Sequence, residues 1–495
     1  MKHFYETLSD PDIAWQGEIS FFEGGRLITR TGSDFQSEVI LLSTWLDSLS
    51  LAEGTLIGIF SENTVSWLLW DLATMRCGLR LKAFNKKPQF SMLEDFLTEH
   101  SLALLIANDP LLIATGALDI TVAENPVKIG DEVIIKRGEC PFFNQDCLSL
   151  VYSSGTTGHD KGLIISKKGA DFVIKRFIQD YQLSERDRHL IFLPLANFQQ
   201  RLSVYGCLLS NASLCLCDYK SVFPAMQAFR PTFLIAPPVF YRTVVQVFKM
   251  RENKDVTLNA LMGGNIRFCI TGMAPIDRAT VNHYEQGGVR LLEAYGTTET
   301  GMITWSTLDS YKPGSTGKPL DRAHLLINAD GELSINRPWP LSQGYFDLPD
   351  GESTEIFLAN GNIVTGDIVT EDEDGFFYIV GRTKEVIILD NGKKIHPSEI
   401  EDTFEINGID CELVVFFYAD KRAPAMLVSR NNMSESDFLQ CQKKIESVNL
   451  SLPQDYKVKY IYYCNEPIKS NPDFMTANMK MSRKKIEDFI LHDIR

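Results

Sequence analysis

Short apolar runs alternate with helix-patterned segments from Gly54 to Tyr295. That alternation constrains the fold most, because strands separated by helices line up in parallel with helices covering both sheet faces. The strand runs are Gly54–Phe60, Leu102–Asn108, Leu190–Leu195, Thr232–Ala236, Phe268–Thr271 and Arg290–Tyr295, and the helical spacing is clearest over Thr64–Cys77, Met92–His100 and Gly169–Gln182. Ahead of them, Ile19–Arg30 reads as a hairpin around Gly24-Gly25. Ser33-Asp34 then reads as the cap of an amphipathic helix carrying Val39, Leu42, Trp45 and Leu46 on one face. From about residue 310 the pattern changes to short strands between turn signals, Gly331–Asn336, Gly344–Phe346 and Gly375–Val380, which predicts a compact β subdomain. The last stretch mixes strands and helices as a small α+β domain. The expected class is therefore α/β: a large N-terminal domain of parallel sheets covered by helices, with a β subdomain, and a small mobile C-terminal domain.

A chain of 495 residues is too long for one core, so at least two domains are expected. A net charge of -15 argues against nucleic acid or an anionic membrane as the main partner. The N-terminus lacks an apolar signal core and no run suffices for a membrane span, so a cytoplasmic protein is expected. Ten scattered cysteines without a Cys-x-x-Cys pair read as reduced, buried thiols.

Chemistry concentrates where strands end. The run Leu148–Tyr152 leads into Ser153-Ser-Gly-Thr-Thr-Gly158 and then Lys161. Glycines turn backbone N–H groups toward an anion, hydroxyls add donors and the lysine adds charge, so the loop suits phosphate. It lacks the Gly-Lys-Ser/Thr of a Walker loop, and a polar turn is the plainer alternative. Further on stand Gly272-Met273-Ala274-Pro275, Tyr295-Gly-Thr-Thr298-Glu299, Thr365-Gly-Asp367, Gly381-Arg382 and Lys480.

In this order the stretches resemble the adenylate-forming superfamily of acyl-CoA synthetases, peptide-synthetase adenylation domains and luciferases, over nearly the whole chain. The resemblance implies ATP-dependent activation of a carboxylic acid to an acyl-adenylate, then transfer to the thiol of CoA. Repulsion between a carboxylate and a polyanionic phosphate makes positioning and positive charge the main requirements. Ser153, Ser154, Gly155, Thr156, Thr157, Gly158 and Lys161 would then hold the β- and γ-phosphates. Glu299, with Thr156, would hold Mg²⁺, and Thr298 would donate to the α-phosphate. Tyr295 would stack on adenine beside Gly272, Met273 and Ala274, while Asp367 and Arg382 would take the ribose hydroxyls. Lys480 would meet the carboxylate and α-phosphate. The resemblance divides the chain into residues 1–382 and 383–495, with a hinge at Thr383-Lys384. After rotation about Lys384, the turn of Gly392, Lys393 and Lys394 would face CoA or a phosphopantetheine arm.

Three positions depart from the family pattern. Asp160 stands where proline usually precedes the loop lysine, Met479 replaces the glycine before Lys480, and Asn197 replaces histidine in Leu193-Pro-Leu-Ala-Asn197. No acidic residue lies between Leu195 and Arg201 to meet an ammonium group, so a fatty or aromatic acid is expected over an α-amino acid. Asn197, Phe198, Tyr205, Pro237 and Phe240 are candidate walls of the acyl pocket. Two other readings stay open: transfer to an acyl carrier protein, and a non-catalytic ATP- or AMP-binding module.

Overall fold

The computed structural model describes residues 2–124, 126, 134–136, 145–154, 160–250, 256–346, 355–388, 394–409, 411–418, 423–429, 434–464, 468, 471–474 and 481–493. Among these residues the chain builds a nine-stranded and a seven-stranded sheet, a four-stranded β unit, and a small C-terminal domain around a three-stranded sheet.

The nine-stranded sheet is parallel from Ile19–Glu23 through Ser213–Leu216, Arg188–Ile191, Phe233–Ala236 and Phe268–Thr271 to Leu291–Thr297. The Ile19–Glu23/Arg26–Arg30 hairpin closes one edge, and the antiparallel strands Gly301–Trp305 and Lys318–Pro319 close the other. In the seven-stranded sheet Leu56–Phe60, Arg80–Ala83, Leu102–Ala107, Leu118–Asp119 and Cys147–Ser154 run parallel, and Asp160–Ser166 folds back antiparallel on the last. The expected α/β layering is present because these strands are apolar on both faces. One core carries Trp67, Trp70, Leu104, Ile165, Phe177 and Leu214, and a second covers the opposite face around Leu234, Phe240 and Tyr241.

Three readings change. The helix predicted to be capped by Ser33-Asp34 spans Gly32–Ser48, and its cap is Thr31, whose hydroxyl accepts from the Asp34 amide at 3.1 Å. Asp34 sits in the first turn, where its charge favours the helix dipole. Arg188–Ile191 is shorter than the expected Leu190–Leu195 strand, because Asn63 captures the following backbone. Its amide donates to the Leu193 carbonyl at 2.8 Å, and its carbonyl accepts from the Leu195 N–H at 2.9 Å. Ser342–Phe346 leaves the β subdomain and pairs with Asp160–Ser166. Finally, Cys411 and Cys441, scattered in the sequence, are brought side by side with Cα atoms 7.2 Å apart. Their separation of 30 residues matches no local cysteine motif.

The β subdomain is the antiparallel sheet Leu325–Ile327, Glu332–Ile335, Ile363–Glu371, Phe377–Arg382. In the C-terminal domain, Glu412–Tyr418, Ala423–Ser429 and Tyr460–Cys464 pack against Pro397–Ile406 and Glu435–Ser451 on one face. The other face takes Arg483–Asp493.

Candidate active site

The strand Leu291–Thr297 carries Tyr295, and the strand Ile363–Glu371 carries Asp367. Tyr295 is buried among Ile303, Leu333, Ile335, Val369 and Phe377. Its hydroxyl donates to Asp367 Oδ2 at 2.6 Å, while Arg382 Nε lies 2.9 Å from Oδ1. Asp367 pairs across the ladder with Arg382, so sheet register alone brings these two together. Burial first, then the Asp367 charge, raises the Tyr295 hydroxyl well above its ordinary pKa and keeps it a donor. Asp367 is only 2 % exposed, and an ionised carboxylate only accepts, through both of its oxygens.

The Gly272–Ala274 loop leaves the adjacent strand at the same end. A side chain at Gly272 would put its Cβ 2.9 Å from the Ala294 carbonyl oxygen, so only glycine allows this approach to the Tyr295 strand. Met273 is held at φ 72°, a left-handed conformation unusual for a non-glycine residue and of the kind found at ligand-binding loops.

Glu299 lies in the turn after Tyr295, and Tyr345 donates to its Oε1 at 3.1 Å. Tyr345 belongs to Ser342–Phe346, the strand moved out of the β subdomain, and is registered against Leu163. That shift has a consequence for the site. The strand Asp160–Ser166 is one arm of the hairpin that carries the phosphate-type loop, with Ser153 opposite Lys161 and Ser154 opposite Asp160. Tyr345 thus links the Glu299 carboxylate to the base of that hairpin. Arg337 braces the same turn from behind, donating to the Thr300 carbonyl at 3.3 Å while both Asp321 oxygens hold its guanidinium. Thr298 is half-buried in this turn.

Gly155, Thr156, Thr157, Gly158, Gly392, Lys393 and Lys480 lie outside the described residues, as do the side chains of Ser153, Ser154 and Lys161. The chain just after Lys480 is firmly placed. Arg483 is held by Glu401, by Glu385 at 3.0 Å and by the Val415 carbonyl at 2.6 Å.

The model of the AMP-binding enzyme family matches residues 16–346. This chain belongs to the AMP-binding enzyme family. It is 30% identical over 450 residues to the long-chain-fatty-acid–CoA ligase FadD15 of Mycobacterium bovis, covering 78% of this chain and 74% of the relative. It is 25% identical to the probable CoA ligase CCL5 of Humulus lupulus, over 86% and 83% of the two chains. In fold it matches the ATP-bound crystal structure of MatB from Rhodopseudomonas palustris with a TM-score of 0.78, at 20% identity and 99% coverage of both chains. The resemblance drawn from the motifs is borne out.

In this AMP-binding enzyme the structure also brings to the site residues that motif reading passed over. Tyr345 and Arg337 are two of them, and their partners lie far away in sequence. Glu293 is a third, and an acid inside the apolar run Leu291–Tyr295 was its signal. It shares the face of Tyr295 by strand alternation, and burial pushes its carboxyl up to about 7 despite the Gly314 N–H donated to Oε1 at 3.0 Å. A raised carboxyl favours the protonated form in the folded chain, so its contribution worsens as pH climbs from 4.5 to about 7 and is level beyond. Glu293→Gln is therefore expected to match the parent near pH 4 and to exceed it by about 3 kcal/mol at pH 8. Urea unfolding at the two pH values checks this, and an offset equal at both would contradict it.

The candidate acyl-pocket residues do not form one wall. Asn197 stands at the N-cap of the helix Phe198–Leu209 without a side-chain capping bond. Phe198 and Tyr205 lie in the first core, whereas Phe240 is buried in the second against Phe192, and Pro237 caps the helix Pro238–Lys249. Tyr205 is fully buried and donates to Asp71 at 2.6 Å. Asp71 also holds Arg201, whose Nη1 reaches Ser149 at 2.8 Å. Tyr205, its hydroxyl spent on Asp71, and Phe240, packed on Phe192 in the second core, are core groups here.

Proposed function

We propose that the chain is an AMP-forming acid–CoA ligase. It joins a carboxylate to ATP with release of pyrophosphate, then passes the acyl group to the CoA thiol with release of AMP. The observation that carries the reading is the meeting of Tyr295, Asp367 and Arg382, with Glu299 in the turn after Tyr295 joined through Tyr345 to the Ser153–Lys161 hairpin. Tyr295 and Glu299 lie toward the carboxyl end of a parallel strand, where ligands of open α/β sheets bind.

In this reading the adenosine lies between Tyr295 and the Gly272–Ala274 loop. Asp367 accepts from the ribose hydroxyls, with Arg382 beside it. The hairpin loop cradles the β- and γ-phosphates, with Lys161 at its end, and Thr298 donates to the α-phosphate. Among the described residues no three acidic, histidine or cysteine side chains cluster as a metal cage. Glu299 alone, oriented by Tyr345, suits a magnesium ion that keeps waters and arrives with nucleotide phosphates. Thr156 would be its second protein contact. The ion would neutralise phosphate charge as the carboxylate attacks.

The unit 383–495 turns about Thr383-Lys384 between the two half-reactions. Lys384 is 86% exposed, with Glu355 3.8 Å away, while Thr383 is tied to Glu332 at 3.0 Å, a bond that rotation would break. In the first state Lys480 is delivered to the reacting carboxylate; in the second the turn of Gly392, Lys393 and Lys394 meets the acceptor. In the described state Lys394 is bonded to Asp330 at 2.7 Å. CoA is favoured over an acidic carrier protein by the net charge of -15. The acid is fatty or aromatic, since Leu195–Arg201 offers no carboxylate for an ammonium. No helix among the described residues is long and apolar enough to cross a membrane, and we place the reaction in the cytoplasm.

The test is incubation with ATP, magnesium and CoA across fatty, aromatic and amino acids. The expected products are acyl-CoA and AMP from a fatty or aromatic acid. Acylation of a carrier protein without any acyl-CoA would shift the acceptor, and AMP formation with amino acids alone would shift the substrate.

A further inference from the structure

The helix Phe198–Leu209 contains a polar side chain that the fold leaves unanswered. Gln200 is 1% exposed, and neither its Nε2 nor its Oε1 has a hydrogen-bond partner. A buried amide left in this state costs about 1–3 kcal/mol, and nothing in the fold described above offsets that cost.

Its direction follows from the helix around it. Ser203, one turn further along, reaches His189 Nε2 at 3.1 Å, and His189 stacks on Phe233 with ring centroids 4.3 Å apart. This face of the helix therefore looks onto the parallel strands Arg188–Ile191 and Phe233–Ala236. Gln200 is three residues toward the helix N-terminus, hence on the same face one turn closer to the strand ends. Those ends lie beside Phe268–Thr271, which leads into the Gly272–Ala274 loop. The core that includes this helix also holds Leu195, Phe198 and Ile270, with Ile235 packed against it. An apolar wall with one placed amide is the composition of a site that orients a small molecule.

We infer that Gln200 reads the acyl group: the preferred acid carries one neutral hydrogen-bonding group, a hydroxyl or ketone, on an apolar frame. This rests on the acid–CoA ligase reading and narrows its substrate class. A neutral group is favoured over a second carboxylate because the adjacent cation is already committed. The Arg201 guanidinium is matched by Asp71, Tyr205 and Ser149. An amide offers a donor and an acceptor together, which a hydroxyl answers fully.

The test uses the full chain and Gln200→Met, which keeps the length of the side chain and removes its polarity, with Gln200→Leu as a second variant. Formation of AMP is measured with octanoate against 8-hydroxyoctanoate, benzoate against 4-hydroxybenzoate, pentanoate against 4-oxopentanoate, and with the dicarboxylate suberate. The parent is expected to favour the polar member of at least one pair by about tenfold in kcat/KM, and Gln200→Met to bring that ratio close to one. Without any ligand, Gln200→Met is expected to melt about 1–3 °C higher, since the unanswered amide is gone. An unchanged ratio, a preference for the plain or dicarboxylic acids, or a lower melting temperature in both variants would overturn the assignment. A chain that forms AMP with none of these acids fails the ligase reading itself. AMP formation led by the plain acids leaves that reading standing and removes only the role of Gln200.

Discussion

Replacing Lys480 by alanine is expected to lower acid-dependent pyrophosphate exchange by on the order of 10²–10³-fold, while thioester formation from supplied acyl-adenylate and CoA continues near the parent rate. The first half-reaction brings a carboxylate against a polyphosphate, and a mobile cation at that point lowers the barrier without any proton transfer. In the proposed second half-reaction the thiol meets an adenylate already formed, so that charge is no longer needed. The local structure supports this division. Three residues beyond Lys480, Arg483 is tied by Glu385 to the segment that follows Thr383-Lys384. Arg483 and Glu385 thereby join the start of the last helix to the proposed hinge segment. Equal loss in both half-reactions would remove the assignment, as would full retention of exchange.

Asp367→Ala carries the second large effect, and it divides into two parts. For nucleotide binding, loss of a carboxylate that accepts from two ribose hydroxyls is expected to weaken ATP by on the order of 10²-fold, since bonds to a charged group are worth about 1.5–3 kcal/mol each. For stability, Arg382 and Tyr295 behave differently when left behind. The Arg382 side chain is 45% exposed and can turn to solvent, so its loss of a partner costs little. The Tyr295 hydroxyl is buried and cannot, so its orphaning sets a stability loss of about 1–3 kcal/mol. The double variant Asp367→Ala, Tyr295→Phe is thus expected to regain most of the stability and none of the ATP affinity. Calorimetric ATP titration and thermal unfolding read the two parts separately. Recovery of affinity in the double variant would contradict the ribose role.

Much of this was legible in the chain itself, for a physical reason. Parallel strands buried on both faces must be apolar throughout, so Leu56–Phe60, Leu102–Ala107 and Phe233–Ala236 announce themselves. Asp367, Arg382, Glu299 and Tyr295 sit in short motifs, where local chemistry is informative. What escaped was non-local. Tyr345 acquires its role by pairing with Leu163 and bonding Glu299, and neither partner is visible from Gly344-Tyr-Phe346. Tyr205 was a reasonable pocket aromatic until Asp71, on a distant helix, claimed its hydroxyl. Cys411 and Cys441 meet only because the strand Glu412–Tyr418 packs against the helix Glu435–Ser451. Even the Thr31 cap shows the limit, since three consecutive candidates, Thr31, Ser33 and Asp34, lie within one turn and only backbone geometry chooses among them.

The most direct test of the central claim is isotope exchange between pyrophosphate and ATP in the presence of magnesium, with and without a carboxylic acid and with CoA omitted. The account predicts exchange that requires a fatty or aromatic acid, proceeds without CoA, and gives way to AMP and acyl-CoA once CoA is added. ATP binding with no exchange for any fatty or aromatic acid would contradict it, and would leave a nucleotide-binding module without the ligase chemistry.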